Sequence, residues 1–294
     1  MIELLTSFFL SQGVQICLFS IMVCLGVSIS VDDLLQAIAH PKALISGLTA
    51  QIIFLPLLGF FIVMVFRPDP VIGIGLVLLA ACPGGVTSNG YVLISRGDVA
   101  LSVALTVISS LVIVLTMPLL TALAFRYLGD QSISFEVPIG SMMISLVKLT
   151  VLPITLGLLL RAKQPEFADK ILEPARKFAF VLLMIVIVGI TLASLEVLLD
   201  NLVEIGLLAL TLNLSALAMG NGIARALRLS AAGQISITFE VGIQNLSLVL
   251  TLALAILHMP EYATFALVYA LFMKVTALIL VAIWQGKTQE ATLS

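Results

Sequence analysis

Apolar residues run together along this chain rather than alternating with polar ones. The runs cover about 4–29, 43–66, 70–95, 99–126, 137–161, 175–195, 201–225, 231–257 and 262–285. A helix rises about 1.5 Å per residue, so about 20 apolar residues cross the hydrocarbon of a bilayer. The pattern therefore predicts nine transmembrane helices. Charge and turn chemistry gather between the runs, at Val31-Asp32-Asp33, His40-Pro41-Lys42, Arg67-Pro68-Asp69-Pro70 and Gly129-Asp130-Gln131. The residue before a proline is pushed out of the helical region, so the connection at Pro68 and Pro70 is a sharp stop. The charged segment 161–177 reads as a solvated loop.

Two runs break the pattern at their centres. The eighth holds Phe239-Glu240-Val241-Gly242-Ile243-Gln244-Asn245, an acid, two amides and a glycine. An ionised carboxylate in hydrocarbon costs at least about 2.5 kcal/mol, and glycine weakens a helix by roughly 1 kcal/mol relative to alanine. The third run holds Pro83-Gly84-Gly85-Val86-Thr87-Ser88-Asn89. Proline removes a backbone donor there, and two glycines free the chain. Such segments are stable facing protein, water or an ion. Two interrupted spans in separate halves of a membrane chain point to a binding site near the bilayer midplane.

The broken runs are five apart and so cross in opposite directions. Each follows a run that carries a polar amide, Gln51 in one half and Asn213 in the other. This reads as two inverted repeats, the first lacking one leading helix. Ten basic residues, from Lys42 and Arg96 through Arg225, Arg228 and Lys287, lie on one side; Arg67 and Arg126 lie on the other. The bias predicts an outside N-terminus and a cytoplasmic C-terminus. The first run has Glu3 and no basic residue before it, and is longer than a signal peptide's core, so it reads as a retained helix.

Composition narrows the class. Of the 294 residues, 61% are hydrophobic and 10% charged, with a mean hydropathy of +1.23, which excludes a soluble or disordered chain. A net charge of −2 argues against a nucleic-acid partner. Cys17, Cys24 and Cys82 lie in apolar runs without metal spacing and read as free thiols.

Glu240 and Gln244, four apart, would share a helix face, and unwinding between them would free the carbonyls of Val241 and Ile243. Gln51, Ser88, Asn89, Ser102 and Thr106 add neutral oxygens. One carboxylate among many neutral oxygens suits sodium better than calcium, which recruits more carboxylates, or zinc, which wants His or Cys. The bland readings are a hydroxyl bonding the carbonyl one turn back for Ser102 and Thr106, interhelical glue for Gln51, and close helix packing for Gly84, Gly85 and Gly242. An intramembrane acid resists such a reading. Lys148 and Lys274 lie inside spans. Lys274, midway along the ninth, is too deep for easy snorkelling and would meet an anion, helped by helix N-termini at the breaks.

The segments Cys82–Asn89, Arg96–Ser102 and Glu240–Asn245 together resemble the bile acid:sodium symporter family, over about residues 15–285. The resemblance implies a core domain, 43–126 and 201–285, with two broken helices crossing in it, packed against a panel domain, 4–29 and 137–195. It implies two sodium ions, one at Ser88, Asn89, Ser102, Thr106 and Glu240, the other at Gln51, Glu240, Val241, Ile243 and Gln244. It implies substrate contacts at Val86, Thr87, Asn245 and Lys274. Bacterial members often have ten spans, against nine here. Lys274 sits where similar proteins can carry an uncharged polar residue. That favours a small carboxylate, such as a 2-oxo acid or a pantoate-like acid, over a bile-acid-like steroid.

The whole 1–294 chain thus reads as one transporter domain in a bacterial inner (plasma) membrane. It would be a sodium-coupled symporter importing a small organic anion by alternating access. The rivals are a proton-coupled or uncoupled carrier, including arsenite exporters with Cys82 as a soft ligand, an integral-membrane enzyme, and a sensor. The only histidines, His40 and His258, lie at connections, so no nucleophile–base pair is apparent.

Overall fold

The computed structural model of the protein describes residues 2–129 and 137–293, and it is all-helical there. The helices are α1 (Ile2–Val27), α2 (Val31–Ala39), α3 (Pro41–Phe66), α4 (Pro70–Ala80), α5 (Val86–Ile94), α6 (Val99–Leu128) and α7 (Ile139–Lys163). They continue as α8 (Pro165–Ala193), α9 (Leu195–Asp200), α10 (Leu202–Ala226), α11 (Ala231–Gly242), α12 (Leu246–Ile256) and α13 (Thr264–Leu293). Among the described residues, α1, α3, α6, α7, α8, α10 and α13 are long and apolar enough to cross a membrane. The third and eighth apolar runs are two broken elements, α4–α5 and α11–α12. The residues after Gly129 in the fourth connection, Asp130 and Gln131, lie outside the described part.

Local chemistry sets the ends. Pro41, Pro70 and Pro165 open helices, where the missing N–H costs nothing. Ser30 and Asp33 form a capping box on α2, and Asp69 caps α4 by accepting from Val71 N at 2.8 Å. Arg67, Arg96, Arg228 and His258 take left-handed φ of 48–58° just past helix ends. Their backbone turns the chain out of the helix, and the cationic arginines lie at the negative end of the dipole. Wide π-turns at 50–54 and 147–151 end two residues before Pro56 and Pro153. A proline ring collides with the carbonyl four residues back, and widening the turn relieves it.

The expectation of a loop at 161–177 fails. α8 begins at Pro165, ten residues before the expected start at 175, and carries its charges on an exposed helical extension. Arg161 pairs with Asp169, and Arg176 with Glu173.

Packing places the broken elements at the centre. Every residue from Ile235 to Leu254 is buried, and so is every residue from Ile72 to Gly85. Non-helical backbone at membrane depth survives only under such cover. α6 packs on α4 and α5; α10 packs on α11, and α13 on α10 and α4. α1 packs against α7 and α8, and it also meets α12, where the Thr251 hydroxyl donates to Val14 O. At the α1–α7 crossing a Cβ on Gly26 would overlap the Ile154 carbonyl, and one on Gly157 the Val23 carbonyl. Small residues there let two membrane helices touch through their backbones. Outward faces, such as Leu57, Phe61 and Met64 on α3 or Val181, Ile185 and Val188 on α8, are exposed and apolar, as a lipid-facing surface requires.

Candidate functional site

The two breaks cross and pair. Gly84 and Gln244 form an isolated antiparallel bridge. Gly85 N donates to Ile243 O at 2.7 Å, and Asn245 N to Pro83 O at 3.1 Å. Gly85 has no room for a side chain: a Cβ would lie 2.7 Å from Gln244 O. Each break thus satisfies backbone groups that the other leaves free.

Glu240 ends up beside this crossing, fully buried. Its Oε2 accepts from the Ser88 hydroxyl at 2.7 Å and the Ser102 hydroxyl at 3.1 Å; its Oε1 accepts from Thr106 at 2.6 Å. Ser102 also donates to Asn89 Oδ1 at 2.7 Å. Three elements, α5, α6 and α11, converge on one carboxylate. Their register is fixed one turn away: Ser236 donates to Asp98 O at 2.8 Å, Asp98 N donates to Ala232 O, and the Asp98 carboxylate caps α6 at Leu101 N. That tie between the α5–α6 turn and α11 aims Ser102 and Thr106 at Glu240. Thr106 also bonds Ser102 O at 3.0 Å, so the back-bonding expected of an ordinary membrane threonine is present alongside the contact to the acid.

Gln51, in the π-turn of α3, donates to Cys82 O at 2.7 Å and to Gln244 Oε1 at 2.9 Å. Gln244 in turn donates to Val241 O at 2.7 Å. The carbonyls of Val241 and Ile243 are therefore not free: each holds one donor and keeps one lone pair. Nor do Glu240 and Gln244 share a helix face. α11 ends at Gly242, so the acid turns to the hydroxyls and the amide to Gln51.

A second amide mirrors Gln51. Asn213 on α10 donates to Gly242 O at 3.0 Å; Tyr269 donates to the same carbonyl at 2.9 Å; Thr276 donates to Asn213 Oδ1 at 2.6 Å. In each half an amide of the preceding helix holds a carbonyl at the edge of the break. Tyr269 and Thr276 escaped the sequence reading because they sit in an apolar run. Their spacing of seven, which puts both on one helix face, was the available signal.

The residues expected at a substrate site lie on α5, at the start of α12 and on α13. Val86 and Thr87 open α5, the first half-buried and the second exposed. Asn245 is buried and caps α12 through Leu248 N; its Nδ2 has no partner. Lys274 is half-buried on α13, and no described residue is hydrogen-bonded or ion-paired to it.

The donor set can be tested against a cation. Among the described residues Glu240 has no ion pair, and an ionised carboxylate buried without a counter-charge is expensive. Its three hydroxyl partners keep acceptor lone pairs, and the buried Gln51 Oε1 has no partner at all. Oxygen ligands around one acid, with an orphaned amide oxygen nearby, fit a hard monovalent cation.

Broken helices crossing at a buried polar centre, inside a shell of lipid-facing helices, define an integral membrane protein of the carrier type. The chain belongs to the Sodium Bile acid symporter family, whose profile matches residues 15–201. It is 29% identical to the human P3 protein over 230 residues, 77% of this chain and 47% of that protein. It is also 29% identical to the probable sodium/metabolite cotransporter BASS1, chloroplastic, of Arabidopsis thaliana over 268 residues, 90% of this chain and 64% of that one. The uncharacterized sodium-dependent transporter YocS of Bacillus subtilis (strain 168) is 29% identical over 290 residues, 96% of this chain and 85% of that one. The chain spans about half the length of the P3 proteins it matches. The family is one of symporters, which sets the enzyme reading aside.

Proposed function

We propose that the protein is a sodium-coupled symporter that imports a small organic anion by alternating access. The observation that carries this reading is Glu240, a fully buried carboxylate surrounded by neutral oxygens with no basic partner among the described residues. Sodium supplies the missing counter-charge. Membership in a family of sodium symporters supports the same ion. One sodium is held by Ser88, Asn89, Ser102, Thr106 and Glu240. A second is held by Gln51, Gln244, Glu240 and the carbonyls of Val241 and Ile243.

Sodium binding stiffens the crossing, because the first site joins ligands from both broken elements and the second ties the other break to Gln51 on α3. The anion then binds beside it, between Val86 and Thr87 on α5, Asn245 with its unpartnered amide N–H, and the unpaired cation Lys274. A monocarboxylate, 2-oxo acid or pantoate-like acid is the class this set favours, a bile-acid-like amphiphile being the larger alternative. The chain crosses the membrane nine times, each broken pair counting once. α1, α7 and α8 form a panel against which the remaining helices move as a core. The basic bias supports an outside N-terminus and a cytoplasmic C-terminus in a plasma membrane.

The test is a sodium titration of thermal stability for the purified protein, against potassium at equal ionic strength. A ligand specific for the folded state adds RT ln(1 + [L]/Kd), about 2.7 kcal/mol at a hundredfold excess. A sodium-specific rise that Glu240→Gln abolishes is expected. Equal behaviour in the two salts sinks sodium coupling and promotes the proton-coupled or uncoupled carrier. In proteoliposomes, two sodium ions with one monoanion carry net positive charge inward, so uptake rises with an inside-negative potential.

A further inference from the structure

A groove of ≈ 370 Å³ lies on the far side of α11 from the Glu240 cluster, between α10 and α13. Its walls are aliphatic: Leu214, Leu217 and Ala218 on α10, Ile279 and Ile283 on α13, with Trp284 at one end. Leu214, Ile279 and Ile283 are about half exposed, so the groove opens sideways into the hydrocarbon. Its polar residues are ordered along it. Positions 214, 217, 218, 221 and 225 form one stripe of α10, about 16 Å long at 1.5 Å per residue. The stripe changes from leucine at mid-helix to Asn221, whose amide donates to Thr238 Oγ1, and then to Arg225 in the last turn.

An apolar trough that ends in a guanidinium matches one kind of molecule: an acyl chain with an anionic head. A lone arginine at a helix end often just snorkels to the interface. Arg225 instead lines the groove, and no described acid forms an ion pair with it. Guanidinium binds phosphate through paired donors, and basic pockets between membrane helices take anionic lipid headgroups. We propose that this groove binds an anionic phospholipid of the leaflet on the Arg225 side, its chain along Leu214–Ala218 and Ile279–Ile283 and its phosphate on Arg225. The inference is independent of sodium coupling; only the naming of the leaflet as cytoplasmic rests on the orientation given above.

The site reaches the machinery of the crossing. Thr276 lines the deep end of the groove and donates to Asn213, which holds the Gly242 carbonyl. A bound chain therefore braces α10, α11 and α13 where the second break is anchored.

The experiment uses the full chain in detergent, with dioleoyl-phosphatidylglycerol, dioleoyl-phosphatidylcholine or glycerol 3-phosphate added. Phosphatidylglycerol is expected to raise the unfolding midpoint about 2–4 °C above phosphatidylcholine, and glycerol 3-phosphate to leave it unchanged. Arg225→Gln erases the difference between the lipids while the sodium-specific rise persists. Arg225→Lys keeps part of it, and Ala218→Trp, which fills the trough, abolishes lipid retention measured by native mass spectrometry. Equal midpoints for the two lipids, or a full difference in Arg225→Gln, overturn the proposal. An equal rise with glycerol 3-phosphate makes the ligand a free anion and also overturns it. So does a Leu214→Cys variant that crosslinks to itself in membranes, because the groove is then covered by a second copy.

Discussion

Gly84 and Glu240 occupy neighbouring space so tightly that a Cβ on the glycine would overlap the Oε1 of the acid. The carboxylate cannot simply swing away, because Ser88, Ser102 and Thr106 hold it from three directions. Gly84→Ala is therefore expected to displace Glu240 and break that cluster, at a cost of about 1–3 kcal/mol from overpacking. The sodium-specific rise in melting temperature should fall by more than half. Retention of the full rise would mean that the carboxylate position is irrelevant to the ion.

Gln51→Leu removes the donor shared by Cys82 O and Gln244 Oε1. Two buried acceptors are left bare, at about 1–3 kcal/mol each. The variant should be less stable than wild type already in potassium, and weaker still in sodium binding. Chemical denaturation in each salt separates the two effects; an unchanged midpoint in potassium contradicts the structural half of the argument.

Tyr269→Phe and Asn213→Leu probe the second break differently. Without the phenol, Gly242 O keeps the Asn213 donor, so a loss of about 1 kcal/mol is expected. Without the amide, Gly242 O keeps only the Tyr269 donor and Thr276 falls back on Phe272 O, so two side-chain bonds go at once and the loss should be larger. Thermal unfolding of the two variants and the double variant gives the coupling. A smaller effect in Asn213→Leu than in Tyr269→Phe reverses the assignment.

Lys274→Met removes the half-buried cation while leaving the Glu240 and Gln51 clusters intact. Anion affinity should drop at least tenfold, about 1.4 kcal/mol, with the sodium midpoint shift unchanged. Uptake kinetics over a range of carboxylate concentrations read this as a raised KM. An unaltered KM removes Lys274 from the substrate site.

Much of this architecture was visible in the residue order, because a polar cluster inside an apolar run has few inexpensive explanations. Glu240, Pro83-Gly84-Gly85 and the paired amides Gln51 and Asn213 all stand out on that ground, and the structure brings their segments together. What stayed hidden depends on geometry that periodicity does not encode. The break at 243–245 separates Glu240 from Gln244, although their spacing suggests one helical face. The carbonyl of Val241 is claimed by Gln244 three residues on, and that of Ile243 by Gly85, a partner that only the crossing supplies. Tyr269 and Thr276 read as core because an occasional hydroxyl that bonds its own helix backbone is ordinary in a membrane helix. The solvated helix from Pro165 reads as a loop in the sequence because hydropathy marks where a helix enters lipid, not where it starts.

The bridge between Gly84 and Gln244 joins positions about 160 residues apart. During synthesis the first broken element enters the membrane long before its partner exists. Until the second arrives, Gly85 N and Pro83 O have no mate in a medium that offers none. The nascent chain must either keep that segment wet or shelter it against the insertion machinery. A truncated product ending before Ala231 would expose the same defect permanently, marking it for the proteases that survey the bilayer.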